Sequence, residues 1–199
     1  MRRNVYDFDK TIYAGDATAD FHRRCCLRHP RAGLDIFASC WYFLAMWLGL
    51  LPKTLAKQRF YRFLRFVPDV QAEVLDFWAG RAHKIRRWYL ESREEQDLII
   101  SASPEFLLKP ICETLRVRLI ASRVDPRSGV CEGANCHGKE KLRRLREALP
   151  DTQIGRFCSD SLSDTPLAAA AEEAFLVRGE RLLPWPGARA QSPSPRRMR

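Results

Sequence analysis

Five short apolar runs punctuate the chain, at residues 4–6, 98–100, 118–121, 154–157 and 174–177, each bounded by polar or turn residues. Continuous runs of this length suit strands buried on both faces, as in a parallel sheet. Stretches of helical periodicity at 104–115, 139–149 and 163–171 separate the later runs. The pattern is therefore the β-α-β alternation of an α/β fold with a doubly wound, Rossmann-like parallel sheet. Such sheets bind ligands at the carboxyl ends of their strands. Asp125-Pro126-Arg127-Ser128-Gly129 has turn chemistry and is expected to close a small hairpin before Lys139.

Residues 17–95 interrupt the alternation. They have helical periodicity, few glycines and no convincing strand, so an all-helical domain is expected between the first two sheet strands. This leaves 1–16 and 96–183 as the core. Within the insertion, residues 36–51 carry no charge for 16 positions, a basic amphipathic run follows at 53–66, and a long helix is predicted through Trp78, Trp88 and Tyr89. After Leu183, Pro-Trp-Pro-Gly and Ser-Pro-Ser-Pro-Arg-Arg predict a disordered basic tail over 184–199.

The candidate chemistry falls at strand ends. Asp7-Phe8-Asp9-Lys10-Thr11 follows the first strand directly, so both carboxylates are expected at its carboxyl end, facing the same way. Two adjacent carboxylates repel. A hard divalent cation between them relieves this, and magnesium (Mg2+) fits best. A second acidic pair, Asp160 and Asp164, follows the fourth run and could complete the metal site. Ser101-Ala102-Ser103-Pro104 offers a hydroxyl and first-turn helix amides for phosphoryl oxygens. Gly138-Lys139-Glu140-Lys141 begins a helix and supplies ammonium groups for charge neutralisation. Each feature alone is commonplace; their joint order is not.

Acidic pair, hydroxyl, lysine and second acidic pair, in this order and over nearly the whole chain to about Trp185, resemble the four motifs of the haloacid dehalogenase (HAD) superfamily. The Asp-Phe-Asp-Lys-Thr, Ile-Ser-Ala-Ser-Pro-Glu and Ser-Asp-Ser-Leu-Ser-Asp segments look like its subfamily IB, the subgroup of phosphoserine phosphatase and a bacterial phosphatidylglycerophosphatase. The resemblance implies a sheet of order 5-4-1-2-3 with a helical cap inserted after the first motif. It implies a magnesium-dependent phosphomonoester hydrolase in which Asp7 is transiently phosphorylated and Asp9 acts as general acid and base. Asp7, Asp9 (also through its backbone carbonyl), Asp160 and Asp164 would hold the metal. Ser101 would bond a phosphoryl oxygen, with Ser103 and Lys139 as further substrate contacts. Lys141 is preferred as the motif lysine because the subgroup places it three residues after the glycine; Lys139 sits where other relatives carry theirs. Asp16 stands where phosphoserine phosphatases read their substrate with a glutamate, and reads equally as a helix cap. A phosphotransferase would carry the same motifs.

Charge bears on the substrate. Lys plus Arg outnumber Asp plus Glu by 34 to 24, a formal +10, which attracts anions. No acidic residue lies between Asp35 and Asp69, where Lys53, Lys57, Arg59, Arg62 and Arg65 fall. The uncharged stretch 36–51 lies between the ~10–14 residues of a buried helix and the ~18 or more of a spanning one. A single crossing there would part Asp7 from Ser101, so it reads as a core helix or as an apolar face touching membrane, with Trp41, Tyr42 and Trp47 at the interface. Expected partners are thus a phosphorylated small molecule or a lipid phosphate, with possible peripheral membrane contact. A basic nucleic-acid-binding protein is the competing class, on Lys and Arg interleaved with Tyr and Phe at 59–66. It lacks a recognised module and leaves the acidic and hydroxyl residues unexplained, so no nucleic acid is expected. Seven cysteines without a C-x-x-C pair, and no charged-then-apolar leader, suggest reduced thiols in a cytoplasmic protein. Cys131, Cys136 and His137 match no zinc spacing.

Overall fold

The computed structural model describes residues 1–34 and 60–187. The chain forms β1 (Arg2–Tyr6), α1 (Ala17–Arg28), α2 (Val70–Arg81), α3 (Arg87–Ser92), β2 (Leu98–Pro104), α4 (Glu105–Leu115), β3 (Arg118–Val124), β4 (Cys131–Glu132), α5 (Lys139–Ala148), β5 (Gln153–Ser159), α6 (Thr165–Ala169), β6 (Ala171–Arg178) and β7 (Arg181–Pro184), with short 3-10 turns at Tyr61–Phe66, Ala82–Lys84 and Leu162–Asp164.

All five apolar runs are strands of one sheet, ordered β4-β3-β2-β1-β5-β6-β7. β3, β2, β1, β5 and β6 are mutually parallel. Counted among themselves they have the expected order 5-4-1-2-3, read from the opposite edge. Two short antiparallel strands, β4 and β7, extend the edges beyond that expectation. Val5, Ile99, Ile100, Phe157 and Cys158 are fully buried, because helices cover both faces. The Asp125–Gly129 turn joins β3 to β4, with Asp125 Oδ1 accepting from the amides of Arg127 and Ser128.

Three expectations are corrected. The long helix through Trp78, Trp88 and Tyr89 is broken between Arg81 and Arg87. There the backbone leaves the helix to dock on the loop after β1: Ala14 N donates to Lys84 O at 2.9 Å, Arg86 N donates to Ile12 O at 2.7 Å, and Tyr13 bridges Ile85. Those partners satisfy groups that a continuous helix would have satisfied internally. The second correction concerns the segment 163–171, which splits into the 3-10 turn Leu162–Asp164, the short α6 and the start of β6. The third is at the tail. Pro184 closes β7, and Trp185 is buried against Phe157 with ring centroids 5.7 Å apart. Burial of an indole outweighs the loop-forming prolines around it.

The uncharged stretch 36–51, the run 53–59 and the tail 188–199 lie outside the described residues. Among the described residues no helix is long and apolar enough to cross a membrane.

The insertion meets the core at the β3–β4 turn. Gly129 has φ +72°, and a Cβ there would sit 2.3 Å from the Tyr61 carbonyl oxygen; beside it Arg65 Nε donates to Ser128 O at 3.1 Å. Gly129→Ala is therefore expected to cost about 2 kcal/mol, through left-handed strain and overpacking, and to lower the thermal unfolding midpoint by about 4–8 °C. An unchanged midpoint would mean that this contact is not rigid.

Candidate active site

Asp7 leaves the end of β1 with its amide donating to Cys158 O at 2.9 Å, which fixes it between β1 and β5. The chain then turns tightly: Thr11, Ile12 and Tyr13 all direct their amides at Phe8 O, and Lys10 takes a left-handed φ of +55°. The carboxylates of Asp7 and Asp9 line one cavity of about 640 Å³ but have different partners.

Asp7 Oδ1 accepts from Lys141 Nζ at 2.8 Å, and the same ammonium reaches Asp164 Oδ2 at 2.6 Å. Lys141 is 2% exposed. Burial pulls its ammonium down, and the two carboxylates more than reverse this, holding it above the usual lysine value. Burial likewise lifts the Asp7 carboxyl, with Lys141 pulling the other way. Ser159 Oγ adds a 2.8 Å bond to Asp164 Oδ2, whereas Asp164 Oδ1 is buried without a partner.

Asp9 is held from both sides. Ala17 N donates to Oδ1 at 2.6 Å, and Ser103 Oγ donates to Oδ2 at 2.5 Å, with Ser101 Oγ more distant at 3.4 Å. Burial pushes the Asp9 carboxyl up to about 7, against the opposing hydrogen bonds. A carboxyl titrating near neutrality can both give and take a proton.

The remaining candidates divide. Asp160 borders the cavity, its amide bonded to Thr11 Oγ1 at 2.9 Å. Asp16 both caps α1, accepting from Ala19 N at 2.9 Å, and borders the cavity, so its two readings coexist. Ser101 is fully buried and accepts from Ser103 N at 3.1 Å; Ala102 and Ser103 form the cavity wall there. Lys139 is exposed at the start of α5 and does not border the cavity. Lys10, Thr18, Phe60, Tyr61 and His137 do border it, although the sequence reading gave none of them a place there. Only Lys10 carried a local signal, by lying within the first motif. Cys136 is buried, its thiol pushed up to about 11 by burial.

Among the described residues no three His, Cys, Asp or Glu side chains converge as a ready-made cation cage. Magnesium asks for less than that: one or two carboxylates, waters and substrate oxygens. Asp7, Asp160 and Asp164 all line the cavity, and Asp164 Oδ1 is buried without a partner, so the carboxylate oxygens there are of the kind that magnesium takes.

The site can be compared with known proteins. Protein CicA of Caulobacter vibrioides (strain NA1000 / CB15N) is 36% identical over 83 residues, 38% of this chain and 37% of the relative. The chain thus matches little more than a third of that relative's length. A protein of unknown function from Bordetella pertussis Tohama I shares 22% identity over 88% of this chain and 89% of its own, with a TM-score of 0.68. A phosphoserine phosphohydrolase-like protein from Francisella tularensis subsp. tularensis SCHU S4 shares 12% over 90% and 88%, with a TM-score of 0.59. These two similarities are of fold. The sequence pattern of the haloacid dehalogenase-like hydrolases matches residues 5–169, a span that holds every candidate side chain above, and the chain belongs to that family.

Proposed function

We propose that the protein is a magnesium-dependent phosphomonoester hydrolase that works through a phosphorylated Asp7. The observation that carries this reading is the division of labour between the two acids: Asp7 is paired with a buried ammonium, while Asp9 sits among hydroxyls with its carboxyl near neutrality.

Lys141 occupies Asp7 Oδ1, so Oδ2 is the oxygen that attacks phosphorus. As that bond forms, the bond from phosphorus to the ester oxygen breaks, and Asp9 gives its proton to the departing alcohol. In the second step Asp9 takes a proton from water, whose oxygen attacks phosphorus and releases Asp7 and inorganic phosphate. Lys141 balances charge on Asp7 throughout, and Ser101 and the first-turn amides of α4 would bond the phosphoryl oxygens. Magnesium, held by Asp7, Asp160, the Asp9 carbonyl and, directly or through water, Asp164, would neutralise phosphoryl charge. The leaving alcohol would lie toward Asp16, Thr18, Phe60 and Tyr61. No observation among the described residues favours a lipid over a soluble ester, because the stretch that motivated a membrane contact lies outside them.

The test is phosphate release from an aryl phosphate, phosphoserine, sugar phosphates and micellar phosphatidylglycerol phosphate, with magnesium and with chelator. Release that stops on chelation and returns with magnesium is expected. Release indifferent to chelator, or none from any compound, would overturn the proposal; transfer to an added alcohol instead of water would mark a phosphotransferase.

A further inference from the structure

Thr18, the second residue of α1, lies in the insertion, yet its hydroxyl is 2.8 Å from the Ser103 hydroxyl, which is itself 2.5 Å from Asp9 Oδ2. A serine hydroxyl has one hydrogen. Ser103 directs it at Asp9, so the contact between the two hydroxyls has Thr18 as donor. The hydrogen bonds thus run in one direction, from Thr18 through Ser103 to Asp9. The other Asp9 oxygen takes the amide of Ala17, the residue before Thr18. Both oxygens of a carboxyl carried by the core are therefore oriented, directly or through Ser103, by the first turn of the inserted helix.

We propose that Thr18 is a positioning residue for proton transfer by Asp9: its donation to Ser103 fixes the direction of the Ser103 hydroxyl and hence the plane of the Asp9 carboxyl at the cavity wall. This rests on the reading of Asp9 as general acid and extends it, because it makes the insertion part of the device that aims the proton. Ser103, taken from the sequence as a substrate contact, spends its hydrogen on Asp9 and keeps only acceptor capacity toward Thr18. Ser103 is fixed on the core, so a shift of α1 alone would break the chain at the Thr18–Ser103 contact.

A misplaced acid matters more when the departing alcohol is a poor leaving group, since a good one departs without protonation. The probes are phenyl phosphate and p-nitrophenyl phosphate, alike in shape and different in leaving group, with kcat/KM reporting the step in which the ester bond breaks. Thr18→Val, which keeps the shape and removes the hydroxyl, is expected to lower kcat/KM roughly three- to tenfold for phenyl phosphate and less than about twofold for p-nitrophenyl phosphate. Thr18→Ser is expected to restore both. Equal losses on the two esters, or failure of Thr18→Ser to recover, would overturn the proposal. Asp9→Asn measured alongside separates the two levels. If Asp9→Asn shows no leaving-group dependence, the acid role of Asp9 falls and Thr18's with it. If Asp9→Asn shows it and Thr18→Val does not, only the role of Thr18 falls.

Discussion

Asp7→Asn is expected to lower phosphate release on the order of 10⁴-fold or more, because an amide is too poor a nucleophile to form the covalent intermediate. The substitution is nearly isosteric, and Lys141 keeps its 2.6 Å bond to Asp164. It also removes a buried carboxylate whose ionisation burial disfavours. Folding should therefore survive, and the unfolding midpoint should stay within a few degrees or rise. That combination separates chemistry from collapse: an inactive but equally stable variant supports Asp7 as nucleophile. A folded variant that retains more than about 1% of the wild-type rate would assign the attack to another group.

The second large effect is on stability. Lys141 is the buried cation between Asp7 and Asp164, and Lys141→Met would strand two carboxylates in a site that burial has already made hostile to charge. Removing one partner from a buried ion pair costs about 3–5 kcal/mol, far more than the exposed pairs of this protein contribute. Arg87 with Glu91 is of the latter kind, since both side chains are largely in solvent. The pH dependence has a definite sign. Without the ammonium the folded-state pKa of Asp7 rises further above its unfolded value, so the stability it leaves behind is greatest at low pH and is lost as pH rises through that folded pKa. Chemical denaturation should accordingly show the gap between variant and wild type narrowing from about pH 7 to about pH 5. A gap that is small at pH 7, or widens toward acid, would mean that the two carboxylates do not depend on Lys141.

Much of this molecule could be read from its residues in order. The five parallel strands declare themselves because a strand covered on both faces must be apolar throughout, and that requirement is local. Asp7 was assigned to a strand end for the same reason. The Asp125–Gly129 turn was legible because Asp, Pro, Ser and Gly each have a backbone preference that needs no distant partner. Asp16 as a cap is equally local, a side chain meeting an amide three residues on.

What could not be read depends on contacts between distant parts of the chain. Lys139 and Lys141 are two residues apart on α5, about 200° around the helix, so only one can face inward. Which one does is decided by the phase at which α5 lies on the sheet, through bonds spanning 134 residues to Asp7 and 23 to Asp164. The different surroundings of Asp7 and Asp9 arise likewise, since Asp9 is bonded to serines more than 90 residues away. The break at Ile85 comes from a bridge to Tyr13, and the burial of Trp185 from a pocket beside Phe157. By itself, the sequence determined the sheet, the place of its acidic residues and the family. The tertiary structure decided which lysine neutralises Asp7, which hydroxyls hold Asp9 and that the insertion reaches them, because hydrogen-bond partners are chosen by proximity in space and only folding supplies it.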